Sequence, residues 1–580
     1  MRHNCTIILS LIAVLFSFNS LSQVISAARS TNWGLAGYNG TIPVYPVIKN
    51  ITDFGGSGNG TTTNDAALTA AIASLNNGNG TIYFPQGTFL FHSVINLRAG
   101  LILKGDGSGS TTLLFDQAGV NDCIHILGNE TFTIANITSS VAKEASSFVV
   151  DDASLFQVND YIKIYQDNDA SLITDSWAAG SVGQVIHIDN ISGNTIFFSN
   201  PLRRNYLLAN SPKIKRFEMI TGVGIECLKI KRLDITSVGL PRANIYIARA
   251  ANCWVRGIES DTTNFAHVQI LNSTNIEITN CYFHGSFDYG TGKGYGICCE
   301  LTSGDCLIEN NIFKHLRHSM LLQSGANGNV FGYNYSIEPR KSETIPFDLS
   351  GDIVMHGNYP YMNLFEGNIV QNILIDQSHG KNGPFNTLFR NRAESYGIII
   401  SSGAGDSSNL VGNEITGTGI GKGNYTMSGN GNFQYGNNKN NTIIPTGTTP
   451  LDDKSYKYSS IPFFWNLTAI WPTIGISNDL NSGTIPAQDR YTAATDLSYC
   501  MADTAVIYIF NGNGNWDVPA NWINNKIPPA VLSPGSQIII DPVADGECDL
   551  NVPYTINPGV TITVATGKQF VVQGNLIRNQ

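Results

Sequence analysis

Charge is scarce in this chain: 13% of its 580 residues are Asp, Glu, Lys or Arg, and 34 basic residues against 44 acidic ones leave a formal net charge of −10. No basic tract is present to neutralise a phosphate backbone, so nucleic acid is excluded as a partner. After the apolar run Ile7 to Phe18, no stretch reaches the roughly 18 uninterrupted apolar residues that a bilayer crossing needs, and no membrane span is expected. C-x-x-C and Cys/His zinc spacings are missing, and the adjacent Cys298 and Cys299 would point to opposite faces of a strand. No cofactor is therefore implied. Calcium (Ca2+) stays open only because Asp and Asn are plentiful, since no EF-hand-like spacing singles out a site. The Gly-x-Gly-x-Gly run at 105–109 lacks a following helix and Gly-Lys-Ser/Thr, which argues against a phosphate loop.

What the chain does contain points outward and to β structure. Arg2 and His3 precede the apolar run, and small residues follow at Ser26, Ala27 and Ala28, so residues 1–27 read as an export signal and the mature protein as secreted. With 42% hydrophobic and 10% aromatic residues, a large core is available despite the low charge. The 58 glycines, many in Asn-Gly and Gly-Asn pairs between short apolar runs, indicate an all-β chain with many tight turns. Outside the signal nine cysteines remain, an odd count. Cys227, Cys253, Cys281 and Cys306 recur at intervals of 26, 28 and 25 residues, which favours stacked interior thiols.

From about 221 to 416 the chain repeats. The asparagines of Asn310-Asn311, Asn334, Asn368, Asn391 and Asn413 follow at steps of 23, 34, 23 and 22, with Cys281 on the preceding rung. A period near 22 to 25 with a recurring turn asparagine describes a parallel β-helix in which amides bond from coil to coil. The step of 34 holds about eleven extra residues, Glu338 to Ser350, which must leave the stack as a loop.

Ile51-Thr52-Asp53-Phe54-Gly55, Asn64-Asp65-Ala66-Ala67, NGNGTIYFPQGTF at 77–89 and LILKGDGSGSTTLLF at 101–115 together resemble the N-terminal part of the pectate-lyase superfamily, its rhamnogalacturonase-like and epimerase-like members. The resemblance implies a right-handed parallel β-helix with an N-terminal helical cap. Asp65 is placed to cap a helix over 66–75 that covers the open end of the stack. The expected division is 28–141 for cap and first coils, 142–210 for an inserted β module, 211–440 for the coils with the active face, 441–503 for a flanking segment and 504–580 for an accessory β domain. The last resembles domains appended to secreted proteins of the Bacteroidetes type, with FNGNGNWDVPANW at 510–522. Its Trp516 and Trp522 read as core rather than as sugar binders.

Counting sixteen residues back from each rung gives Phe265, Tyr295, His318, Asp352, Ile375 and Gly397 as one outward column. Three positions on, Val268, Cys298, Leu321, Met355, Ser378 and Ile400 read as inward. Further along, His356 falls beside His379. Six of the ten histidines lie between 267 and 379, more than a structural solenoid needs. Tyr295, His318, Asp352, His356 and His379 are therefore the candidate catalytic residues, with His318 or His356 as base and Tyr295 as acid. Arg317, Arg390, Arg392 and Glu338 are the candidate substrate-binding residues, the arginines for a uronate carboxylate. Asp376 reads as inward and Glu366 as facing elsewhere, which weakens a paired-carboxylate hydrolase. The polygalacturonase, calcium pectate lyase and mannuronan epimerase patterns are missing. The expected function is a monomeric polysaccharide lyase acting on an extracellular acidic glycan; a glycoside hydrolase and a non-catalytic glycan-binding solenoid are the alternatives.

Overall fold

The computed structural model describes residues 23–166, 171–233, 242–465, 470–495, 497–500, 507–523, 527–528, 532, 536–556 and 560–578. The export-signal core and Cys5 fall outside them. The chain winds into a right-handed parallel β-helix with three strands per coil. One coil runs through Thr274–Thr279, Tyr282–Ser286 and Tyr295–Glu300, and the next through Leu307–Glu309, Ile312–Lys314 and His318–Leu322. Corresponding strands pair in parallel, for example Ile278 with Ile308 and Ile297 with Met320. Alternation along each strand sends Ile297, Cys299, Met320, Leu322, Ile353 and Met355 into one continuous apolar core. Among the described residues no helix is long and apolar enough to cross a membrane.

The asparagine ladder forms as its spacing predicts. Asn311 Nδ2 donates to Asn334 Oδ1 at 3.0 Å, and the same bond repeats through Asn368, Asn391, Asn413 and Asn437. Cys281 sits on the preceding rung, its amide donating to Asn311 Oδ1 at 2.9 Å. The left-handed conformation, however, belongs to the residue before each ladder asparagine: Asn310, Tyr333, Gly367, Arg390 and Gly412 have φ between 51° and 67°. That residue swings outward and leaves the amide aimed along the stack. A second, unanticipated ladder of Asn329, Asn363 and Asn386 lines another corner.

Three local expectations are corrected. The cap helix covers Asp65–Ala73, so Asp65 lies inside it; its carboxylate instead accepts from the His92 and Ser93 amides and ties the helix to the first coils. Cys253, Cys281 and Cys306 are interior thiols, but Cys227 leaves the column at φ 56° and is disulfide-bonded to Cys500. The inserted module is wider than 142–210: its four-stranded sheet begins at Asn129–Asn136 and ends at Lys213–Glu218, after which Gly224–Glu226 rejoins the stack beside Leu101–Gly105.

The segment after residue 441 packs along the coils, where Trp465, Trp471 and Ile474 meet Tyr282, Ile312, Tyr333 and Ile369. The described residues between 507 and 578 form short parallel sheets of their own around Trp516 and Trp522, both in the core.

Candidate functional site

The row of aromatic side chains begins where Tyr295 pairs with His318 on the next coil. Parallel pairing stacks their rings 5.3 Å apart at 22°. His318 meets the His356 ring edge-on at 5.0 Å, and His356 lies 6.2 Å from His379. Four residues expected to share a site are thus brought together. The row descends from half-open to closed: His379 keeps a third of its side chain exposed, whereas His318 is 2% exposed.

Each imidazole is held differently. His318 Nδ1 lies 2.8 Å from the Gly351 carbonyl, which can only accept, so the proton sits on Nδ1. Its Nε2 is buried and meets no hydrogen-bond partner among the described residues. Burial, with His356 and Arg317 nearby, pushes His318 well below the usual histidine range, which leaves a neutral ring with an unused lone pair. His356 Nδ1 faces both Asp376 oxygens at 2.9 and 3.0 Å. Burial alone would raise Asp376, but the hydrogen bond and charge of His356 outweigh it and hold the carboxylate below its ordinary value. His379 Nδ1 faces Asp175 at 2.9 Å, and its ring lies edge-on to Trp177 at 5.3 Å.

Asp175 and Trp177 come from the inserted module. The module is fastened here by Asn358, which accepts from the Thr174 amide at 2.7 Å and donates to Asp175 at 3.0 Å. Trp177 remains 47% exposed beside the row. On the opposite side the 338–350 loop closes over the buried end: Arg317 donates to Tyr295 Oη at 3.1 Å and to Glu343 at 3.1 Å. Burial raises the Tyr295 phenol far above its usual range against the pull of Arg317, so it stays protonated.

Other expected residues do not join. Asp352 turns into the corner, where its carboxylate accepts from Ser336 Oγ and the Gln371 and Asn372 amides; burial raises it to about 7. Arg390 donates to the carbonyls of Leu451, Asp453, Ile474 and Ile476 and anchors the flanking segment. Arg392 is buried against Glu414 and the Gly483 carbonyl, and Glu338 pairs with Lys314 and His315 away from the row. Glu366 is sealed under Tyr456.

The inward column also needs correction. Val268, Met355 and Ile400 are core, but Cys298 and Leu321 face outward against Tyr295, and Ser378 is exposed. Asp376, expected inward, faces His356. The error arises from the ruler: Met320 lies 14 residues before its rung Asn334, whereas Ile373, its equivalent two coils on, lies 18 before Asn391. Sequence reasoning also missed Glu300 and Gln323, which share the outward column of His356 and Asp376; Gln323 Nε2 donates to Glu300. A usable signal exists, because each follows an interior apolar residue: Cys299-Glu300, Leu322-Gln323, Met355-His356, Ile375-Asp376. Among the described residues no group of three or more His, Cys, Asp or Glu converges to hold a metal ion.

Residues 48–192 match the family described as Rhamnogalacturonase A/epimerase, pectate lyase-like. A capsule K1-specific depolymerase of Klebsiella phage K64-1 is 25% identical over 276 residues, 46% of this chain; the match spans only 28% of that curated relative's length. Among solved structures, the tailspike gp49 of Pseudomonas phage LKA1 aligns over 91% of this chain and 78% of its own, at 13% identity and a TM-score of 0.47. An exopolygalacturonase from Thermotoga maritima aligns over 93% and 94%, at 10% identity and a TM-score of 0.33. The chain is a right-handed parallel β-helix whose N-terminal part, residues 48–192, is similar to the pectate-lyase-like family.

Proposed function

We propose that this protein is a secreted enzyme that cleaves an extracellular acidic polysaccharide by β-elimination at the row of Tyr295, His318, His356 and His379. The observation that carries the reading is the buried, neutral His318, whose Nε2 lone pair is unused beside a protonated Tyr295. A base that is already deprotonated can take the proton α to a uronate carboxylate, and a phenol one coil away can protonate the leaving oxygen. The His356–Asp376 pair adds a second imidazole with its proton fixed on Nδ1, and Trp177 offers an exposed ring against which a sugar can stack. Arg317 is partly neutralised by Glu343, so binding of the uronate falls chiefly to His356 and His379. The similarity to a capsule depolymerase agrees with a polysaccharide substrate, and the Cys227–Cys500 disulfide agrees with an oxidising, extracellular compartment.

Incubation with a panel of uronate-containing glycans, followed by ultraviolet absorbance of the unsaturated product, tests the reading; product with native protein and none with His318→Ala is the expected result. One observation favours a second reading: two carboxylates, Asp175 and Asp376, stand at neighbouring imidazoles of the row, and a hydrolase works with a carboxylate pair. Oligosaccharides released without the chromophore, and lost in Asp376→Asn, would select it. The flanking segment packs on other strands of the coils, while Tyr295, His318 and His356 are themselves buried.

A further inference from the structure

The inserted module has a second polar face. Where it meets the N-terminal segment and the coil corners, a cavity of about 140 Å³ opens between Asn39, Tyr161, His187, Asn252 and Asn275. One ordered water needs roughly 15 Å³, so the space admits something much larger. Among the described residues no Lys or Arg lines it.

Its walls are organised by the module's own sheet. Tyr161 and His187 are direct partners across antiparallel strands, with rings 5.0 Å apart and edge-on. His187 Nδ1 donates to Asp189 Oδ1 at 2.8 Å, and Ser199 Oγ donates to the other carboxylate oxygen. That bond keeps the imidazole proton on Nδ1, so Nε2 presents a lone pair. Asn252 Nδ2 donates to Tyr161 Oη at 3.3 Å, and burial raises the phenol to about 12, so its hydrogen remains to be donated. Val185 supplies an apolar wall. Hydroxyl, amide and imidazole donors and acceptors, the Asp189 carboxylate, an aromatic edge and one apolar patch match a ring bearing several hydroxyls, each of which both donates and accepts. With Asp189 in the wall and no Lys or Arg among the described lining residues, uronate, sulfate and phosphate are disfavoured.

We propose that this cavity binds a neutral pyranose unit of a glycan, as a site separate from the His318 row. The buried Arg203–Asp305 pair fastens the module to the coils, so a glycan held here stays attached to the body that carries the His318 row.

The full-length chain is mixed in turn with methyl glucoside, methyl galactoside, methyl mannoside and glucuronate, and binding is followed by saturation-transfer NMR. Native protein, Tyr161→Phe, His187→Ala and His318→Ala are compared, each first checked for native circular dichroism. At least one neutral hexoside should receive saturation, with affinity about tenfold weaker in Tyr161→Phe and His187→Ala, the loss of one or two hydrogen bonds, and unchanged in His318→Ala. The proposal is overturned if no neutral hexoside binds, if glucuronate binds best, or if the signal falls in His318→Ala but not in His187→Ala. Because the readout is binding of neutral sugar, the outcome does not depend on whether the His318 row is a lyase site.

Discussion

Removing the Arg203 guanidinium should loosen the inserted module without unfolding the coils. Arg203 and Asp305 are 3% and 0% exposed, and Arg203 also donates to Asn327 Oδ1 at 2.9 Å. Asn327 in turn donates to the Gly183 carbonyl at 3.1 Å, on the module strand Gly183–His187. In Arg203→Ala, Asp305 stays buried with the Asn200 amide at 3.2 Å as its remaining described side-chain donor. Breaking one side of a buried ion pair costs roughly 3–5 kcal/mol. At about 1.36 kcal/mol per tenfold change, the contact between module and coils should open about 100- to 5,000-fold more often. Native-state hydrogen exchange of the Gly183–His187 amides reads that opening, while the core strand Ile353–Gly357 should keep its protection. Arg203→Met with Asp305→Leu removes the stranded charge and should recover most of the loss. Protection in Arg203→Ala within threefold of native, or an equal loss in the double variant, would refute the assignment of this pair as the anchor.

His318→Ala should lower kcat/KM by about 10²- to 10⁴-fold, the usual contribution of a positioned base, while Asp352→Asn should reduce thermal stability, because an amide cannot accept all three of its bonds. Trp177→Ala should raise KM for long substrates and leave kcat nearly unchanged, as measured by initial rates across chain lengths. Stability should fall as pH rises: Glu309, raised by burial from 4.5 to about 8, and Asp352, raised from 3.8 to about 7, each bind a proton in the native state that the unfolded chain has released. Their contribution is complete below about pH 4 and lost as pH passes 7 and 8; melting curves from pH 5 to 9 should show the decline, and Glu309→Gln should flatten it. Asn368→Ala should cost about 3 kcal/mol or more, since it strands the Phe331 carbonyl and removes the acceptor of Asn334 Nδ2; a flat denaturation midpoint would contradict the ladder's role.

The asparagine period was legible because a solenoid repeats one local problem. Each coil must turn at the same corner, and the same amide bond solves it from Asn311 to Asn437. The histidine row was half legible for the same reason: Tyr295 and His318 precede their rungs by equal distances, so the count aligns them. It failed at Asp352 and Asp376, where the corner between strand and rung lengthens and, with a period of two, a slip of one residue reverses a side chain's face. Arg390 and Arg392 looked like carboxylate binders because a basic residue beside a turn is compatible with either solvent or an anchor. Only the arrival of Leu451, Asp453 and Gly483 decides between the two.

Composition and spacing alone were enough to establish an all-β solenoid, its repeat, its interior thiols at Cys253, Cys281 and Cys306, and the aromatic core of the last segment, because each follows from periodicities of two along a strand and of one coil along the stack. Tertiary structure decided what no period encodes. Asp175 lies 204 residues from His379, Cys500 lies 273 from Cys227, and Asp305 waits for Arg203. Contacts between segments of different register leave no local pattern in either one. Their partners are selected only when the inserted module and the flanking segment dock on the finished coils.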